Sequence, residues 1–160
     1  MERYFEKISY EQFKKDIKDD INLYNEYIIP SRKTKSSAGY DFMALEDVEI
    51  KPGERIKIPT GIKVNMMCDE VLLMVIRSSL GFKHNIRLMN QVGIIDADYY
   101  NNDSNEGHIW VALQNEGNEV FKLNKGDGFA QGIFIKYLTC GDEVQEERTG
   151  GFGSTNKEEK

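Results

Sequence analysis

Cysteine, histidine, long apolar runs and excess basic charge are all scarce in this chain of 160 residues, and each scarcity removes a class of function. Cys68 and Cys140 are the only cysteines, far apart and without neighbours at metal-ligand spacing, which argues against a disulfide framework and against a zinc site. His84 and His108 are the only histidines, too few for a multi-histidine metal centre, and each reads as a surface or packing residue. The longest apolar run, Val71 to Ile76, is far too short to cross a bilayer, so no membrane association is expected. The opening "MERYFEKISYEQ" is charged within two residues and has no apolar stretch of signal-peptide length, so secretion is not expected and the cytoplasm is. With 21 Lys and Arg against 27 Asp and Glu, the net charge of −6 opposes general binding to nucleic acid. Any phosphate must therefore be held locally.

What is present fits one domain over residues 1–160, with 39% apolar and 30% charged residues, the composition of a globular protein. Residues 1–29 read as a strand and helix extension. Ser9 can cap a helix, Gln12 stands three residues later as the capping-box partner, and Ile8 and Phe13 are placed as a hydrophobic staple. Phe13, Ile17 and Ile21 then recur at four-residue spacing, which predicts one helix with a single apolar face. Residues 30–40, "PSRKTKSSAGY", read as a connection. Beyond them, short strands are punctuated by turn chemistry at "KPGE", "NEGN" and "NKGDG". Ile62, Val64 and Met66 share one strand face, Val120 to Leu123 alternates weakly, and Val71–Ile76 and Ile133–Ile135 read as buried on both faces. Many short strands predict an all-β sandwich or barrel, here with one N-terminal helix. "YYNNDSNEG", 99 to 107, reads as a loop let into a strand connection.

Several stretches have the residue types that chemistry needs, each with a plainer alternative. In "AGYDF", Asp41 is either a functional carboxylate or a solvated turn residue. In "IRSSLGFKHNI", Arg77, Ser78 and Ser79 at a strand end can hold phosphate oxygens, or the serines can simply cap a helix. In "NQVGIIDADYY", Gly93 interrupts an apolar strand, as glycine does where a ligand or backbone approaches closely, and Asp96 follows two isoleucines. The alternative is a hairpin with Asp98 in its turn. In "GDGFAQGIF", Gln131 is the one hydrogen-bonding side chain of a buried strand and needs partners, either structural or a ligand. In "RTGGFGST", the glycines and hydroxyls can form an anion-binding nest and Phe152 can stack on a flat ring, whereas composition alone gives a loose tail.

In order and wording, "SAGYDF", "RSSLGFKH", "NQVGIIDADYY…GHI", "GDGFAQGIF" and "RTGGFGST" resemble the five ordered motifs of the trimeric dUTP pyrophosphatases, the dUTPases. The resemblance covers about residues 30–156 and leaves the N-terminal helix unexplained. It implies a jelly-roll-like β-clip subunit, assembled as a homotrimer whose active sites draw on all three chains. It also implies hydrolysis of dUTP to dUMP and pyrophosphate by in-line attack of water on the α-phosphorus, with Mg2+ carried on the triphosphate. By position in the motifs, Asp96 would orient and deprotonate the water, and Asp41 would hold waters around the magnesium. Arg77, Ser78 and Ser79 would bind phosphate, and Gln131 would lie near the α-phosphate. Asn90 and the backbone from Gly93 to Ile95 would read uracil, and Tyr99 would sit under the deoxyribose and exclude a 2′-hydroxyl. Residues 147–160 would be a mobile flap, with Arg148 on the γ-phosphate, Phe152 stacked on uracil, and Gly153, Ser154 and Thr155 supplying donors.

Three departures from the motifs stand out: Ser79 where many members carry glycine, the insertion "YNNDSNE" before Gly107, and Thr149 between Arg148 and the glycine pair. Asp103 and Glu106 in the insertion read as solvent residues with no catalytic reason to be there. Two alternatives have been weighed. A dCTP deaminase of the same fold would carry a catalytic glutamate on the strand after the hairpin, where "GHIWVALQ" has no carboxylate. A dUTP-binding trimeric regulatory protein could use the helix and the insertion for contacts, but would have no need of Asp96.

Overall fold

The computed structural model describes residues 3–141. The chain opens with β1 (Tyr4–Lys7), followed by α1 (Tyr10–Asp16) and α2 (Ile21–Glu26). After the 30–40 connection come β2 (Tyr40–Met43), β3 (Val48–Ile50), β4 (Arg55–Pro59), β5 (Ile62–Asn65) and β6 (Glu70–Ile76). Then follow α3 (Ser78–His84), β7 (Ile86–Leu88), β8 (Gly93–Asp96), β9 (Trp110–Asn115), β10 (Phe121–Leu123) and β11 (Gly128–Lys136). The strands form antiparallel sheets in the orders β2-β11-β6-β8, β4-β9-β7, β1-β5 and β10-β3. This is the all-β architecture expected, a sandwich of small sheets without a closed barrel. The turn glycines Gly53 and Gly126 take φ of 78° and 84°, conformations in which a side chain would be strained.

The N-terminal helix is not one helix. Ser9 does cap α1, accepting from the Gln12 amide at 3.1 Å. At Ile17 the backbone leaves the helix (φ −122°, ψ −78°), and Asp20 caps a second helix by accepting from the Leu23 amide at 2.9 Å. An aspartate that can satisfy free N–H groups at a new helix start competes with continuing the old one. As a result Phe13 and Leu23 are buried while Ile21 is 48% exposed. A third helix, α3, lies in the body of the chain. Strand β1 pairs with β5, and Arg3 just before it grips the buried Glu70, holding that carboxyl below the usual carboxylate range.

The N-terminal segment joins the main core rather than lying beside it. Phe13, fully buried, stacks on Tyr27 with ring centroids 5.6 Å apart and meets Tyr24 edge-on. Tyr27 donates to the Gly61 carbonyl, and a Cβ on Gly61 would lie 2.9 Å from the Tyr27 ring. The Gly61 N–H in turn donates to Nε2 of the buried His108, whose Nδ1 lies 2.6 Å from Asp16 at the end of α1. Because Nε2 accepts, His108 is the neutral tautomer with its proton on Nδ1. Burial lowers its pKa, against the opposing pull of Asp16.

An unfolded chain takes up the His108 proton below about pH 6.5, before the folded protein does, so stability is complete above that pH and is lost as pH falls through the lower folded value. We expect the melting temperature to drop on acidification from pH 7.5 to pH 5, with a flatter profile in His108→Gln. Parallel profiles for the two proteins in scanning calorimetry would show that His108 is not responsible.

The stretches expected to be buried on both faces are not. In the β2-β11-β6-β8 sheet, Leu72, Met74 and Ile95 face the core, but Leu73, Val75 and Ile133 are only half-buried. Ile94 and Ile135 are 56% and 42% exposed. In antiparallel pairs, directly opposed residues share a face. The register Ile94↔Leu73↔Ile133, Val71↔Ile135 and Val75↔Gln131↔Asp41 therefore gathers these side chains on the face opposite Leu72, Met74 and Ile95, where Val71 and Asp41 are nevertheless buried. Both cysteines are exposed.

Candidate active site

Asp41, Arg77 and Gln131 come together although they are far apart in sequence. Asp41 on β2 is opposite Gln131 on β11, whose amide donates to Asp41 Oδ1 at 3.0 Å. Arg77 follows β6 directly and places Nε 3.7 Å from the same oxygen. The other oxygen, Asp41 Oδ2, is buried without a hydrogen-bond partner among the described residues. A buried polar atom left in this state points to a ligand or water as its partner. Two glycines make room: a Cβ on Gly39 would lie 3.0 Å from Gln131 Oε1, and one on Gly128 would lie 2.8 Å from Arg77 Nη1. Gly128 also opens a bulge in the β11–β2 register, a distortion often found beside functional sites. Ser78 and Ser79 begin α3 but neither caps it: Arg77 occupies the cap position and makes no side-chain cap bond. Asp41 is buried, so the solvated-turn alternative is wrong.

The second group lies at the other end of the same sheet. Gly93 begins β8 rather than interrupting a strand, after Gln91 at φ 61°. A Cβ at Gly93 would sit 3.0 Å from that of Met74 on β6. Asn90, Gly93 and Ile95, with Met74, Met89 and Trp110, line a largely apolar cleft of about 660 Å³. Asp96 ends β8 opposite Val71, half-buried, and Ala97–Tyr99 follows as a single 3₁₀ turn in place of a hairpin. Tyr99 is buried, and its hydroxyl donates to the His108 carbonyl at 2.9 Å. Its hydroxyl is therefore engaged within the fold.

The insertion after Tyr99 is tightly organised. Asn102 is buried, and its Oδ1 accepts from Ser104 and from the Asn105 amide. Glu106 is not a free solvent residue: it accepts from the Ser9 amide at 2.9 Å and from the Ser9 hydroxyl, and lies 3.2 Å from Lys63. Burial would raise its carboxyl, but the Ser9 and Lys63 contacts bring it below the usual value. Asp103 is exposed, as expected. Sequence reasoning missed His108, Asn102, Asn105 and Glu106 as organisers. The one available signal was a polar run ending in Gly107, which has φ 82° and whose Cβ would lie 2.6 Å from the Tyr99 carbonyl.

A family model described as dUTPase matches residues 25–156. The chain belongs to the dUTPase family. Among relatives of this dUTPase-family chain, the deoxyuridine 5'-triphosphate nucleotidohydrolase of Lactococcus lactis is 51% identical over 130 residues, covering 79% of this chain and 87% of the relative. The enzyme of the same name from Haemophilus influenzae is 39% identical over 148 residues, covering 87% and 94%. The crystal structure of dUTPase from Streptococcus mutans superposes with a TM-score of 0.71 at 38% identity, covering 87% of this chain and 99% of that one. A dUTPase from phage phi11 of S. aureus, 21% identical with a TM-score of 0.67 over 91% of this chain and 98% of its own, shares the fold; its structure describes coordination of a structural Mg(II) ion. Among the described residues no group of three or more His, Cys, Asp or Glu side chains could hold a metal by itself. The orphaned Asp41 Oδ2 does fit one outer contact to a hydrated cation carried in on a ligand. Arg148, Phe152, Gly153, Ser154 and Thr155 lie outside the described residues.

Proposed function

We propose that the chain hydrolyses dUTP to dUMP and pyrophosphate, as a homotrimer with shared active sites acting in the cytoplasm. The reading is carried above all by the meeting of Asp41, Arg77 and Gln131 around an unpartnered buried carboxylate oxygen, in a chain of the dUTPase family. Asp96 orients a water and takes its proton as the oxygen attacks the α-phosphorus and the bond to the β-phosphate breaks. Gln131 lies near the α-phosphate, and Arg77, Ser78 and Ser79 hold phosphate oxygens. Asn90 and the backbone from Gly93 to Ile95 read uracil in the cleft, with the Tyr99 ring against the deoxyribose. Arg148, Phe152, Gly153, Ser154 and Thr155 close over the nucleotide. Asp41 would hold the waters of a magnesium ion carried on the triphosphate, which would supply charge neutralisation.

Trimeric sharing is supported by spacing within one chain. Asp96 is opposite Val71, whereas Asp41 and Gln131 are opposite Val75 and Arg77 follows Ile76. At ordinary strand rise and separation, Asp96 lies roughly 20 Å from the Asp41 group. Residues acting on one phosphorus must converge within a few ångström, so the two groups serve different nucleotides unless a neighbouring copy brings them together. The outer face between them carries exposed Ile94 and Ile135, as a surface covered by another copy would.

Purified protein incubated with magnesium and dUTP, dCTP, dTTP or UTP is expected to release pyrophosphate from dUTP selectively. Turnover absent with dUTP, or ammonia released from dCTP, would sink the reading.

A further inference from the structure

The Tyr99 hydroxyl both donates and accepts within the fold. It donates to the His108 carbonyl at 2.9 Å and accepts from Asn105 Nδ2 at 2.8 Å. The Asn105 amide orientation is fixed by its other end, where Oδ1 accepts from the Gly107 amide at 3.1 Å and from Asn102 Nδ2 at 2.9 Å. Asn102 Nδ2 also donates to the Tyr99 carbonyl at 2.8 Å, so ring and backbone are gripped by the same loop.

That loop is held from outside. Glu106 sits at φ 59°, a conformation such a residue rarely keeps unless its surroundings impose it, and Asn101 at φ 55°, which asparagine tolerates. The imposing contacts are those of Ser9 and Lys63 to Glu106, of Lys63 to Asn101 Oδ1 at 2.6 Å, and of Gly61 and Asp16 to His108. The N-terminal segment thus reaches the site turn through the insertion.

We propose that Asn105 is a positioning residue for sugar discrimination: with the His108 carbonyl it pins the Tyr99 hydroxyl, and so fixes the ring against which a 2′-hydroxyl is excluded. This rests on the reading of Tyr99 as the deoxyribose platform. Excluding one oxygen atom requires the ring to be held to about 0.5 Å, a tolerance set by the groups that anchor its far end. A ring pinned only by His108 can tilt and admit ribose.

The test compares kcat/KM for dUTP and for UTP in the full chain, in Asn105→Ala, in Tyr99→Phe and in the double variant. Asn105→Ala is expected to lower the dUTP-to-UTP ratio by about tenfold, the effect of one lost hydrogen bond, and Tyr99→Phe, which also loses the bond to the His108 carbonyl, by at least as much. The double variant is expected to add nothing to Tyr99→Phe, because removing the hydroxyl already removes the bond from Asn105. A merely structural role would lower both substrates together and leave the ratio intact, and that result overturns the proposal. So does a double variant whose effects add. If Asn105→Ala does not fold, Asn105→Asp decides, since it keeps an oxygen for the Gly107 and Asn102 contacts and removes the amide that donates to Tyr99. A wild-type chain that fails to prefer dUTP removes the functional reading and this inference with it. A wild type that discriminates beside variants of unchanged ratio removes only this inference.

Discussion

Asp96→Asn is expected to lower kcat for dUTP by about 10²–10⁴-fold, the usual range for loss of a general base, with little change in thermal stability. The substitution keeps the size of the side chain and its hydrogen-bonding reach but removes its ability to take a proton. Asp96 is half-buried at the end of β8, beyond the core positions Gly93 and Ile95, so no packing is lost. Steady-state kinetics and calorimetry on the same preparations separate the two effects. Retention of more than a tenth of wild-type kcat would remove Asp96 from the chemistry.

The same variant tests where the site is assembled. Arg77→Ala should also be nearly inactive, since it removes the cation beside Asp41. If Asp96 of one copy works with Arg77 of another, trimers refolded from an equal mixture of the two inactive variants contain some intact sites. Random assembly gives about a quarter of the sites both functional groups. Recovery towards that level supports a shared site, and its complete absence would place both groups on one nucleotide within one chain. The separation of roughly 20 Å along and across the sheet makes recovery the expected outcome.

The candidate site residues were more legible in the sequence than the geometry around them. Asp41, Arg77 and Gln131 stand in short motifs whose order survives translation into strands, and turn chemistry marked Gly53 and Gly126 correctly. The alternation around Phe121 and Leu123 also gave their inward faces. By contrast, the apolar stretches of β6 and β11 announced burial without saying what would provide it. Ile94 and Ile135 are as apolar as Leu72, yet stand exposed in the single chain. Periodicity reports which residues avoid water, and cannot tell the chain's own core from a neighbour's surface. The insertion was illegible for a different reason. Asn102, Asn105 and Glu106 are ordinary loop residues by type, and their roles depend on partners as distant in sequence as Ser9 and Lys63.

Phe13→Ala is expected to cost about 3–5 kcal/mol, the range for removing a fully buried aromatic ring. For a chain of this size that corresponds to a fall in melting temperature of roughly 6–20 °C. Ile21→Ala should cost almost nothing, because Ile21 is 48% exposed. A single helix with Phe13, Ile17 and Ile21 on one face would make the two substitutions comparable. The Asp20 cap, by restarting the helix, hands the inward position to Leu23. Phe13 lies between Tyr10, Tyr24 and Tyr27, and no neighbour can refill its place without breaking a bond: Tyr24 donates to the Ile8 carbonyl and Tyr27 to that of Gly61. The cavity would therefore persist, which is the condition for a cost at the upper end of the range. Because Gly61 also contacts His108, whose carbonyl holds Tyr99, loosening at Phe13 should weaken nucleotide discrimination as well as stability. Equal melting temperatures for Phe13→Ala and Ile21→Ala would show that the N-terminal segment does not pack as this structure has it.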